Sequence, residues 1–101
     1  MTASLVVLPE AEEELLEAAR WYESQRSGLG LEFIDAIDAV LARVAEAPLV
    51  HPSWADRPRF RRAVAAGFPY LVVFEVRAGQ VEIIAIAHAR RRPGYWLDRR
   101  P

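Results

Sequence analysis

Apolar residues along this chain change their period once, from helical to alternating, near residue 48. Before that point, Leu5-Val6-Val7-Leu8 is a short apolar run ended by Pro9, which predicts a strand. Pro9 suits a first helical position, and Glu10, Glu12, Glu13 and Glu14 follow where carboxylates complement the helix dipole. Ala11, Leu15, Ala18, Ala19 and Tyr22 recur at helical spacing, predicting a helix that runs to about Arg26. Gly28-Leu29-Gly30 interrupts it. A second helix carries Phe33, Ile37, Val40, Leu41 and Val44 on one stripe and stops before Pro48. Residues 48–58 hold three prolines with His51 and Trp54, and read as a loop. Strands are predicted at residues 60–66, 70–76 and 81–88, the last two joined by a turn at Arg77-Ala78-Gly79-Gln80. The order β-α-α-β-β-β describes one α+β domain over residues 1–101, with two N-terminal helices packed on an antiparallel sheet.

The hairpin pattern carries a further expectation. Closure at Ala78-Gly79 would set Glu75 opposite Glu82, Val73 opposite Ile84 and Leu71 opposite Ile86. The other face would hold Tyr70, Val72, Phe74 and Val76 against Val81, Ile83, Ala85 and Ala87. Both faces are apolar away from the turn, and two helices can cover only one. The second face is either capped by the loop and the C-terminal tail or offered to a partner. Two facing glutamates repel, which favours a bulge in the register.

Charge divides the chain as sharply as the apolar period does. The first fifty residues hold ten acids and three arginines, the remaining fifty-one ten arginines and four acids. The overall charge of −1 conceals this polarity. A cationic half interleaved with rings suits phosphates, bases or an acidic protein surface. All thirteen cations are arginines, which excludes any mechanism that needs a lysine. The absence of cysteine excludes disulfides, thiolate catalysis and Cys-based metal sites. The longest uncharged run, residues 63–74, is shorter than the roughly 20 residues of a spanning helix. No signal peptide is visible, so a cytoplasmic location is expected.

Candidate chemistry gathers near the end of the chain. His88 is the one group beside the arginines whose ordinary pKa lies near neutrality. It could act as general acid or base in RNA cleavage, with Arg62, Arg90 and Arg91 stabilising the phosphate, or it could end a strand and hydrogen-bond locally. Glu82 is expected on the same strand face as His88, but about 20 Å away, too far to form a dyad. Arg90-Arg91-Arg92 reads as a solvated run or, with Arg57, Arg59, Arg61 and Arg62, as a functional basic surface. Tyr95 could stack on a base or anchor the tail, and Trp96 is expected to anchor it. Trp21 and Tyr22 read as packing residues, Glu12-Glu13-Glu14 as a solvated helix start, and His51 as structural. There is no Gly-rich phosphate loop, nucleophile elbow or His pair at ligand spacing, so neither metal nor cofactor is expected.

Several of these residues together resemble the RelE/ParE superfamily of toxins from type II toxin–antitoxin modules, also described as plasmid stabilisation proteins. The match runs nearly end to end through Trp21-Tyr22-Glu23, Gly28-Leu29-Gly30, Phe33, Pro48, Arg61-Arg62, Phe68-Pro69-Tyr70, and His88 with Arg90-Arg91. The resemblance implies a compact β-α-α-β-β-β domain and a cognate antitoxin whose flexible segment wraps it. Leu71, Val73, Ile84 and Ile86, or Tyr70, Phe74 and Val76 on the other face, would then form the antitoxin surface. RelE-like members cut mRNA in the ribosomal A site, and ParE-like members inhibit DNA gyrase. Arg62 or Arg61, and Arg90 or Arg91, fall where RelE-like members place catalytic arginines, and Tyr95 matches their stacking aromatic. The lysines of many RelE-like nucleases have no counterpart. With Trp-Tyr-Glu and Gly-Leu-Gly closer to the ParE side, the resemblance implies a gyrase inhibitor. Its target surface would be drawn from Arg59, Arg61, Arg92 and Tyr95. The alternatives are a ribosome-dependent nuclease, or a non-toxic relative that completes a repressor complex.

Overall fold

The computed structural model of the protein describes residues 2–99. Strand β1 (Ser4–Val7) leads into helices α1 (Pro9–Gln25) and α2 (Leu29–Glu46). Strands β2 (Ser53–Trp54), β3 (Arg57–Val64), β4 (Tyr70–Arg77) and β5 (Gln80–His88) follow, with 3-10 turns at Pro48–Val50 and Leu97–Arg99. The expected α+β order is present, with two refinements. The loop contributes a two-residue edge strand, β2, too short to leave an alternating pattern. The sheet, ordered β1-β5-β4-β3-β2, is mixed and not wholly antiparallel, because β1 runs parallel to β5.

The junction between the helices explains the Trp-Tyr-Glu and Gly-Leu-Gly segments. Gly28 takes φ +89° at the start of α2, a conformation that disfavours a side chain. The Glu23 carboxylate accepts hydrogen bonds from the Gly28 N–H at 3.0 Å and the Gly30 N–H at 3.1 Å. It places negative charge on the positive end of the α2 dipole. A Cβ on Gly30 would come within 2.6 Å of the Ala19 carbonyl oxygen, so this glycine lets the helices touch.

One face of the sheet packs under the helices. Ala11, Ala18, Phe33, Ile37, Val40 and Val44 meet Val72, Phe74, Val81, Ile83 and Ile86 there. Phe33 lies at the centre, with ring centroids 5.1 Å from Tyr22, 5.2 Å from Phe68 and 4.9 Å from Tyr70. The Phe68-Pro69-Tyr70 segment thus closes one end of this core.

The β4–β5 register contains a bulge, but it does not separate the facing glutamates. Glu75 does oppose Glu82, but Phe74 opposes Ile83 and Val73 opposes Ala85, leaving Ile84 as the extra residue. Beyond it the side-chain phase inverts. Val73 therefore pairs with Ala85 instead of Ile84, and Leu71 with Ala87 instead of Ile86. Ile86 turns to the helix side, and Glu82 and His88, expected to share a face, lie on opposite ones.

The second face is capped by the protein's own tail. Trp96, 2% exposed, covers Val73, Ile84, Ala85, Phe60 and Leu8, with Trp54 and Tyr95 at its margin. Of the four residues expected to await an antitoxin, Val73 and Ile84 are buried under Trp96 and Ile86 under α1. Leu71 alone remains half-exposed, paired with the exposed Val64. All ten acids of the first half fall in α1 and α2, so the sequence polarity becomes an acidic helix layer set against an arginine-rich sheet and tail.

Candidate functional site

A groove of about 590 Å³ opens where α1 crosses the ends of β4 and β5. Glu14, Glu17, Trp21 and Tyr22 line it from the helix, Tyr70, Ile86 and His88 from the strands, and Arg91 from the tail. Trp21, expected to pack, is 59% exposed at this site, because its neighbour Tyr22 takes the inward position. Burial raises the Tyr22 and Tyr70 phenols above their ordinary pKa, so both remain neutral donors.

His88 ends β5 opposite Tyr70, with the rings edge-on at 5.2 Å. Its Nδ1 accepts the Arg90 N–H at 3.1 Å, and its carbonyl accepts the Arg91 N–H at 3.0 Å. This is the local hydrogen bonding of a strand end. In the neutral ring it leaves Nε2 as the protonated nitrogen. Arg91 lies nearby with its guanidinium 3.7 Å from the Tyr95 ring centroid and Nη1 3.6 Å from Glu14. Arg90 and Arg92 are exposed.

The groove floor is organised by Glu14, not by the histidine. Its carboxylate accepts from the Ile86 N–H at 3.0 Å, the Tyr95 hydroxyl at 2.7 Å, and Arg99 at 2.8 and 3.0 Å. Arg99 also donates to the Ile84 carbonyl at 3.1 Å. Strand β1 finishes at the level of Ile83, and these two side chains satisfy the edge of β5 beyond it. Burial and the bond to Glu14 raise the Tyr95 phenol far above its ordinary pKa, and the same carboxylate raises Arg99. Glu14 was expected to be solvated. The signal against that lies in the spacing: Glu14 falls three residues after Ala11 and four before Ala18, inside the buried stripe of α1.

The expected basic cleft does not assemble around His88. Arg62 lies on the opposite sheet face, with its guanidinium 4.9 Å from the Trp54 ring centroid. Arg61 donates to the Leu49 and His51 carbonyls at 3.3 and 2.7 Å, and so ties down the loop before β2. Arg59 pairs with the buried Glu75 at 2.6 Å and offsets the facing glutamates together with Arg77, 3.7 Å from the same carboxylate. Tyr95 has its hydroxyl bonded and its ring under Arg91, so it anchors the tail as Trp96 does.

A family model described as the ParE toxin of type II toxin–antitoxin systems, parDE, matches residues 5–93. The chain belongs to this family. Among solved structures it is similar to a chain of the chromosomal ParDE toxin–antitoxin system from P. aeruginosa. The TM-score is 0.77 at 15% identity, with 88% of this chain and 98% of that one covered. None of the curated proteins matches it in sequence. Within a ParE toxin fold, then, the helix junction set by Glu23, Gly28 and Gly30 and the Glu14 cluster are the features most heavily built. Among the described residues, no group of His, Asp and Glu could hold a metal ion, and no helix is long and apolar enough to cross a membrane.

Proposed function

We propose that this ParE-family toxin arrests growth by inhibiting DNA gyrase and is silenced by a cognate antitoxin. The supporting observation is the separation of His88 from Arg62 by the full thickness of the sheet. A nuclease that holds a scissile phosphate needs its proton-transfer group and its cations around one point. Here Arg59 and Arg61 are spent on Glu75 and on loop carbonyls, and there is no lysine to replace them. The antitoxin surface reduces to the apolar strip that the tail leaves open, Leu71 with Val64.

Expression of the chain alone should stop growth, and co-expression of the neighbouring gene should restore it. The purified toxin should inhibit gyrase supercoiling and leave mRNA intact in translation reactions mapped by primer extension. Harmless expression at high soluble yield would favour the non-toxic repressor partner. The nuclease reading retains one favourable observation, the juxtaposition of His88 and Arg91 in an open groove. It requires A-site cuts that weaken about 10²–10⁴-fold in His88→Ala.

A further inference from the structure

Four arginines of the described residues are half-buried: Arg57, Arg61, Arg62 and Arg99. Three have acceptors, in Asp56, the Leu49 and His51 carbonyls, and Glu14. Arg62 differs. Its Nη1 is buried with no acceptor in the protein, and its guanidinium rests over Trp54. The only other buried side-chain donor without an acceptor among the described residues is Trp96 Nε1. Trp96 touches the same Trp54, at 5.0 Å between ring centroids. Two unsatisfied donors, one of them cationic, therefore flank a single indole on the face away from the helices.

A guanidinium N–H buried without an acceptor is unfavourable, and so is a buried indole N–H without one. We propose that Arg62, with Trp54 and Trp96, forms a receptor for an Asp or Glu side chain of the antitoxin. This rests on the toxin–antitoxin reading above and adds the chemistry of the contact. Arg62 is two residues from Val64 on β3, and alternation puts both on one face, so a segment lying on Val64 and Leu71 passes Arg62. Because the guanidinium stacks on an indole, its in-plane N–H edges are what remain for recognition. A carboxylate can pair with those edges within the layer, and a protein segment on the adjoining Val64–Leu71 strip would bring one as Asp or Glu. The approach is past β2, a two-residue edge strand with an irregular register that carries Trp54.

The test uses wild-type toxin, Arg62→Met and Arg62→Lys, each first checked for an unchanged melting temperature within a few degrees. Calorimetric titration with the purified antitoxin should show binding weakened at least about 30-fold in Arg62→Met, as for truncation of a desolvated charge pair. Arg62→Lys should recover only part of the loss, since it lacks the planar fork. In nitrogen–proton correlation spectra, acetate should shift the Trp96 indole N–H of the free wild type and not that of Arg62→Met. Antitoxin binding that is equal in wild type and Arg62→Met overturns the receptor while leaving the toxin–antitoxin reading intact. A response to methyl phosphate but not to acetate also overturns it, and points to nucleic acid at this face. If the antitoxin fails to bind even the wild type, the toxin–antitoxin reading falls and this contact with it.

Discussion

Under α1 and α2 the sheet is closed by two long stripes whose members follow one another at helical spacing. On its opposite face it is closed by one indole and a short tail, held at its end by charges. The helix side is redundant: Phe33 touches three rings, and Ile37, Val40 and Val44 continue the same surface. The tail side has few contacts, and each is decisive. Trp96 supplies the apolar cover, and Glu14 joins helix, strand and tail through four partners. One core therefore derives its order from periodicity, the other from individual long-range contacts.

The sharpest way to break this comparison is to empty both cores. Phe33→Ala should lower the unfolding free energy by about 3–5 kcal/mol in urea titrations, as for other buried aromatic truncations. Trp96→Ala should fall at the low end of that range and act mainly on the tail. Trypsin should then cleave after Arg90 and Arg91 while the helices remain folded. If the two variants unfold alike, with no early tail cleavage, the faces form one unit.

Removing the carboxylate that joins them is next in size. Glu14→Ala leaves Arg99 largely buried without its anion and strips acceptors from the Ile86 N–H and Tyr95. It should cost about 3 kcal/mol. Glu13→Ala, one residue away on the solvated side, should stay within about 0.5 kcal/mol. Equal effects would mean that the Glu14 cluster contributes no more than a surface charge.

On the helix side, Glu23→Ala should lower stability by about 1–2 kcal/mol through loss of the cap on α2, measured by thermal unfolding. The smallest effect concerns Tyr95. Its phenol is held above the ordinary value in the native state, whereas the unfolded chain loses that proton near about pH 10. Its contribution is whole below that pH and declines as pH rises further. Tyr95→Phe should cost about 1 kcal/mol at neutral pH and flatten the loss above about pH 10. The part that persists in Tyr95→Phe belongs to Tyr22 and Tyr70, both also raised by burial.

The same contrast explains what could be read from residues alone. Both helices, the hairpin turn and the anchoring of Trp96 follow from local spacing and from size. The facing glutamates suggested a bulge that would part them, but the bulge falls at Ile84 and leaves them opposed, and one residue reversed the face of Ile86 and His88. Strand β2 escaped notice because two residues show no alternation. Glu14 was misjudged because a run of three acids hides the one that lies on the apolar stripe. Arg62 and His88 were grouped by the arginine-rich half and by the resemblance to RelE-like arginines; their separation comes from the opposite sheet faces they occupy.

That topology also has a consequence in time. β5, synthesised last among the strands, sits between β1, the first, and β4, with Ser4 beside Gln80. A growing chain can form its helical hairpin early, but β1 has no neighbour until β5 exists. Pairing across so long a separation is slow, and the unpaired strands are exposed meanwhile. Nascent chains halted before Gln80 should be digested readily by protease, and full-length chains should resist it. A growing cell would then meet this toxin only as a finished molecule, and its antitoxin would have no folded partial surface to hold before release.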